Sequence, residues 1–415
     1  MLKININKTY FAVILFLLAS ISIFEIHYLL YLITVIIYYS KISKKLFELV
    51  TFLIVIVFIA VISSVFNKDF VFYNWIKDLA YFSKPILAIL AGYFIAKKVN
   101  NFITIFKIII YLSFLFAIIH LSKIFIFVDF STASVSKIRY IGGLSNEILV
   151  LAIVILLASK KLINVEIIEN KLYKKIVLFV FGLSFLLYFS RTMILSFTIL
   201  YLASLGYLKL TRKSLKYLFL VVTIFGLFYA YLYSRSFERE KPGIESFLYK
   251  IKIAPAEIFV PAKNFDPKNH ADLWDHWRAY EAKMAITQMN SSLNFFIGKG
   301  LGSLVDLKFK APLSEKGMRY IPILHNGFIN IFYKAGIIGL LMFLVFLLSL
   351  YLYGFSKTKN DKKILFLNIT TGLAVRFLFT TLVVTGMYNI TEIMTFVLGV
   401  FMLFIKSEEK KLLPE

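Results

Sequence analysis

The sequence predicts an all-α integral membrane protein of about twelve transmembrane helices, with one large, partly helical extracytoplasmic loop between the ninth and tenth. Three observations lead there. Of the 415 residues, 60% are hydrophobic, against roughly 45–50% in globular chains. The excess falls in runs separated by short lysine clusters, and about 20 apolar residues suffice to cross the hydrocarbon of a bilayer. Six of the eight prolines (Pro242, Pro255, Pro261, Pro267, Pro312 and Pro322) fall in one stretch, while Pro85 interrupts an apolar run. That stretch is the water-facing part.

In order, the spans run over 10–24, 28–40, 46–66, 75–97, 101–119, 145–159, 174–189, 192–208, 214–233, 325–354, 363–383 and 387–405. Lys3 and Lys8 before the first span imitate a secretion signal, but no small-residue cleavage site follows, so a retained helix is expected. The first two spans form a hairpin turning near Glu25 and His27. Lysines before the first and Lys41, Lys44 and Lys45 after the second give both ends a preference for the cytoplasm. The even-numbered spans then end inside. Their connections carry Lys97/Lys98, Lys160/Lys161/Lys171/Lys174/Lys175, Lys209/Arg212/Lys213/Lys216 and Lys357/Lys359/Lys362/Lys363, and the tail adds Lys406, Lys410 and Lys411. Short outer connections hold only Lys68, Lys123, Lys137, Arg139 and Arg191. The chain divides into spans one to nine (1–233), the large loop (234–324), spans ten to twelve (325–405) and a cytoplasmic tail (406–415).

The net charge of +24 sits between spans, where it orients the chain, so nucleic-acid binding is not implied. With no cysteine, neither a disulfide nor a thiolate metal site exists. The same topology puts His27, His120, His270, His276 and His325, with Trp75, Trp274 and Trp277, on the outer side.

Loops beyond roughly 15 residues are usually functional, and this one is far longer. Within it Asp272 opens a helical stretch whose Leu273, Trp277, Tyr280 and Met284 share one apolar face, suited to the membrane surface or to the spans beneath. Ile297-Gly298-Lys299-Gly300-Leu301-Gly302 reads as a flexible turn. No internal repeat or low-complexity tract is visible.

His325-Asn326 begins the tenth span, followed by Gly336 and Gly339. The glycines suit close helix packing. His325 has two readings: part of a helix start, or a neutral imidazole at a cavity mouth that accepts a proton from a sugar hydroxyl. Arg376 and Glu392 lie inside spans, where isolated charges are costly, and read as a structural pair rather than a catalytic one.

The pattern His325-Asn326…Gly336…Gly339 after a large outer loop resembles the signature of bacterial O-antigen ligases and the related O-antigen polymerases. Ser190-Arg191-Thr192, Trp277-Arg278-Ala279-Tyr280 before the Gly298…Gly300…Gly302 turn, and, more loosely, Arg139-Tyr140-Ile141-Gly142 are similar to further family features. The resemblance covers roughly residues 135–355. Many members carry an acid two positions before the first glycine, where this chain has Lys334, which reads as a packing or electrostatic position. The resemblance implies a glycosyltransferase of the bacterial inner membrane, with both termini cytoplasmic and the active site facing the periplasm. Its donor is an undecaprenyl-diphosphate-linked glycan and its acceptor either the lipid A-core, for a ligase, or another lipid-linked glycan, for a polymerase. The nine-residue spacing after His-Asn leans toward the ligase. Catalytic residues would be His325 as base, with Arg278 and Arg191 on the diphosphate and Arg139 as a further diphosphate contact. Bland readings of the arginines are headgroup anchors for Arg191 and Arg139, and an intrahelical ion pair with Asp275 or Glu281 for Arg278. No Asp-x-Asp pair lies on the outer side, so neither a divalent metal nor another cofactor is expected, and partners besides the substrates are membrane lipids. A lipid-linked oligosaccharide flippase is the remaining alternative; such carriers are usually built from repeated halves.

Overall fold

The computed structural model of the chain describes residues 8–20, 24–67, 71–143, 147–239, 241, 243–261, 270–313, 316–389 and 392–410. Lys3, Lys68, Lys411, Pro242 and Pro267 lie outside the described residues, as do the side chains of Lys213, His270, Asp272 and Lys410.

Helices occupy most of the chain. α1 (Lys8–Ala19) and α2 (Phe24–Tyr38) precede α3 (Lys44–Val65), α4 (Phe72–Val99) and α5 (Phe102–Phe127). A short α6 (Val135–Gly142) leads to α7 (Glu147–Ile163), α8 (Lys171–Leu187), α9 (Arg191–Ser204) and α10 (Arg212–Ser234). The loop region holds α11 (Glu245–Phe259), α12 (His270–Thr287), α13 (Ser292–Ile297) and the strands β1 (Val305–Ala311) and β2 (Met318–Ile321). α14 (Gly327–Tyr353), α15 (Asp361–Val383), a 3-10 turn (Gly386–Tyr388) and α16 (Met394–Lys410) complete it. Among the described residues α3, α4, α5, α10, α14 and α15 are long and apolar enough to cross a membrane. α-Helices overlap all twelve expected segments, but the last begins at Met394 because residues just before it form the 3-10 turn.

Contacts sort the connections into two ends. At one, Lys97 Nζ donates to the Lys41 carbonyl (3.2 Å), the Tyr351 hydroxyl to the Leu208 carbonyl (2.9 Å) and Asn360 Nδ2 to Glu408 (2.8 Å). This end gathers lysine-rich connections. At the other, the Leu301 amide donates to the Ala60 carbonyl (3.1 Å), the Gly302 amide to Asp78 (2.8 Å) and the Gly327 amide to the Val384 carbonyl (3.1 Å). Loop elements, the start of α14 and the end of α15 meet there. α10 differs from the other long helices: nearly its whole apolar surface is exposed, and its main packing partner is α11.

Three expectations need correction. The all-α class omits an antiparallel hairpin, in which Val305 faces Ile321 and Asp306 faces Tyr320. The signal was present, since Val305, Leu307, Phe309 and Ala311 alternate with Asp306, Lys308 and Lys310. Secondly, of the two surfaces expected for the apolar face of α12, it meets the spans beneath, through Tyr333 of α14, and lies otherwise on this hairpin rather than on the membrane surface. Leu273 and Trp277 are buried with Val305, Leu307, Ile321 and Tyr333, and the Tyr280 hydroxyl donates to the Leu307 carbonyl (2.6 Å). Thirdly, the glycine turn is a buried wedge, not a flexible segment. Gly298, Gly300 and Gly302 all have positive φ. Gly336 also has positive φ (67°) and interrupts α14, which releases carbonyls from the helical ladder. The Lys299 amide takes the Tyr333 carbonyl (2.7 Å) and the Gly300 amide that of Lys334 (3.0 Å). Gly336 therefore provides a break that only a residue tolerant of positive φ makes cheaply, not helix packing alone. Lys334 locks the wedge: its Nζ reaches Asp78 on α4 (2.5 Å) and the Ser303 carbonyl (2.5 Å). That is the electrostatic position expected of it.

Candidate active site

Ser190 caps α9, its hydroxyl accepting from the Met193 amide (3.3 Å), and this places Arg191 in the first turn. From there the Arg191 guanidinium donates to the Lys250 carbonyl on α11 and lies 3.4 Å from Glu257 Oε2. Arg278 arrives from α12 and meets the other oxygen, Glu257 Oε1, at 3.0 Å. Two guanidiniums from different elements thus converge on one carboxylate. Arg278 does not make the intrahelical pair: Asp275 holds Arg239 (2.9 Å) and the Tyr249 hydroxyl (2.5 Å) instead.

A cavity of about 740 Å³ opens beside these groups, with Arg139, Arg191 and Arg278 in its wall. Phe225 and Phe228 of α10, Phe247 and Ile251 of α11, and Phe379 and Leu382 of α15 make the apolar wall. Arg139, on α6, has no carboxylate partner among the described residues. Burial, and then the charge of Arg191, push its guanidinium below the usual arginine range. Burial also lowers Arg278, partly opposed by Glu257. On α11, burial together with Arg139, Arg191 and Arg239 pulls Lys250 down. The mouth is short of negative charge.

Deeper along α15, Arg376 also lines the cavity. It meets Glu392 through two bonds (3.2 and 3.0 Å), as expected, and in addition Glu147 of α7 (3.1 Å) and the Ser196 hydroxyl (3.2 Å). The expected pair is a cluster with two carboxylates.

His325 precedes Asn326, whose side chain caps α14 by accepting from the Phe328 (3.1 Å) and Ile329 (3.2 Å) amides. The imidazole is half exposed and lies outside the cavity lining. Its Nδ1 lies 3.0 Å from Glu281 Oε2, and its backbone amide donates to the same oxygen (3.0 Å). Glu281 is buried and sits three residues after Arg278 on α12, so the carboxylate that holds the base candidate shares a helix face with the guanidinium. The other described histidines differ. His120 is buried within α5, stacked on Tyr188 (3.6 Å) with Nδ1 on Ser184 (3.0 Å), and His276 Nδ1 faces the Val260 carbonyl (2.8 Å). Sequence reasoning missed Glu257, Glu147 and the role of Glu281. The spacing from Arg278 was the one available signal, and it pointed to a different bond. Among the described residues no group of three or more His, Asp or Glu side chains is arranged to hold a metal ion.

The family model for O-antigen ligase matches residues 176–344. Over these residues the chain is similar to the O-antigen ligases, which supports the resemblance read from His325-Asn326 and the arginines. The O-antigen ligase match runs from α8 into α14, so it contains Arg191, Glu257, Arg278, Glu281 and His325, while Arg139, Arg376 and Glu392 lie outside it. No curated protein matches the chain.

Proposed function

We propose that this protein transfers an undecaprenyl-diphosphate-linked O-antigen glycan to an acceptor hydroxyl on the periplasmic side of the bacterial inner membrane, as an O-antigen ligase whose acceptor is the lipid A-core. The observation that carries the reading is the convergence of Arg191 and Arg278 on the single carboxylate of Glu257 at a cavity mouth. Guanidinium binds phosphate oxygens in the same forked way as carboxylate oxygens and stays charged. A diphosphate entering the cavity replaces Glu257 and adds Arg139, which has no carboxylate partner among the described residues. The apolar wall, with α10 standing apart from the bundle, suits a polyprenyl chain reaching in from the lipid.

In the reaction the acceptor oxygen attacks the anomeric carbon, and the bond from that carbon to the phosphate oxygen breaks. Undecaprenyl diphosphate leaves with the electron pair. Arg191, Arg278 and Arg139 stabilise the growing charge, the role that a divalent metal fills in other transferases, and His325 takes the acceptor's proton. Twelve spans with both termini cytoplasmic put this end outside, consistent with lysine-rich connections at the opposite end.

His325→Ala should lower turnover by about 10²–10⁴-fold while leaving insertion and donor binding near normal. Purified protein supplied with lipid-linked glycan and lipid A-core should form product without nucleotide sugar or ATP. Near-normal turnover of well-inserted His325→Asn would remove the base role, because asparagine also caps a helix. The polymerase reading predicts a different cell phenotype. A deletion strain lacking a ligase leaves the core bare and accumulates long lipid-linked glycan, whereas one lacking a polymerase leaves cores carrying single repeat units. Glycan movement in vesicles without product would favour a flippase.

A further inference from the structure

We infer that Glu281 is a positioning residue for His325: its buried carboxylate holds the proton of Nδ1 and turns Nε2 outward to meet the acceptor. This rests on the base role proposed for His325 and deepens it. Three features of the contact support it. Glu281 Oε2 accepts from the His325 backbone amide (3.0 Å) and also faces Nδ1 (3.0 Å), while Oε1 lies 3.1 Å from the same ring nitrogen. A carboxylate that grips both the backbone and the ring of one residue sets where the ring lies and how it is turned. Glu281 is 1% exposed whereas the His325 side chain is 47% exposed, so the bond runs from the interior to a ring whose other side is open. The contact also ties α12 to the start of α14, two elements that carry Arg278 and His325.

The chemistry requires this arrangement. A neutral imidazole has one nitrogen that donates and one that accepts, and the bond made by the first decides the second. Ionised, Glu281 only accepts, so Nδ1 must carry the hydrogen and Nε2 the free lone pair. As the acceptor's proton arrives at Nε2, the ring becomes positive beside a fixed negative charge. The cation closest along the helix, Arg278, is engaged by Glu257, which leaves both Glu281 oxygens for His325.

A four-member set tests the assignment: wild type, E281Q, H325A and E281Q/H325A, each assayed in detergent with lipid-linked glycan and acceptor. E281Q keeps the shape and an oxygen for the backbone amide but removes the charge. Its kcat should fall by on the order of 10²-fold with donor KM unchanged. In the H325A background the same substitution should cost nothing further, because Glu281 acts through His325. A purely structural role would lower both backgrounds alike, and that additive result would overturn the inference. Nitrogen NMR of the ring, assigned by its absence in H325A, provides a second measurement independent of variant folding. The wild-type ring should be protonated at Nδ1, and protonation at Nε2 alone would overturn the inference. Full activity of H325A removes the base role on which this rests. Full activity of E281Q beside an inactive H325A removes the Glu281 assignment alone.

Discussion

Arg376, about two turns below the end of α15, meets two carboxylates and a hydroxyl, whereas at the mouth of the same cavity Arg191 and Arg278 share the single carboxylate of Glu257 and Arg139 meets none among the described residues. The difference separates structure from binding. A charge inside a membrane is costly unless matched, and Arg376 is over-matched, so it joins α7, α9, α15 and the start of α16. Cations left in surplus beside an apolar cavity are arranged for an anion that comes from elsewhere. Lys334 belongs with Arg376: its charge is absorbed by Asp78 and the glycine wedge, far from any substrate role.

Mutation should therefore divide the two clusters cleanly. The largest effect is expected from Arg376→Ala, which strands Glu147 and Glu392 without a counter-charge. Breaking such a buried pair costs about 3–5 kcal/mol, so thermal melting and yield in the membrane should both drop sharply. Normal yield with lost turnover would move Arg376 into the binding group and break the comparison. Next come Arg191→Ala and Arg278→Ala, expected to reduce turnover by on the order of 10²–10³-fold and to weaken donor binding at near-normal yield. Lysine should rescue these two only in part, since it brings a point charge without the guanidinium fork.

Arg139→Ala should cost less, about 1.5 kcal/mol or roughly tenfold in donor binding, as one charge-assisted bond is lost. A normal donor KM in that variant would show the mouth to be a two-arginine site. The smallest effect is expected from EDTA, which should leave turnover unchanged because the arginines hold the diphosphate. Activity that vanished with EDTA and returned with a divalent cation would undo that division of labour.

Much of this was legible in one dimension. Apolar runs and lysine clusters are local properties, set by the cost of leaving backbone and charge in hydrocarbon, so the order of helices and the grouping of the lysine-rich connections near Lys41 and Lys97, Leu208 and Tyr351, and Asn360 followed from the sequence. His325, Arg191, Arg278 and Arg139 stood out by residue type and by resemblance, and the structure gathers the three arginines in one wall. What tertiary structure alone decided is which carboxylates Arg191, Arg278 and His325 meet. Glu257 lies 66 residues from Arg191 and Glu281 lies 44 from His325, separations over which no periodicity carries information. The glycine wedge shows the same limit. Gly298, Gly300 and Gly302 suggested flexibility because glycine permits many conformations, and the fold selected one by giving their amides the carbonyls that the break at Gly336 sets free. Sequence by itself determined which residues had to leave water and which could carry charge; burial in a shared interior decided which charges are neutralised and which remain to bind.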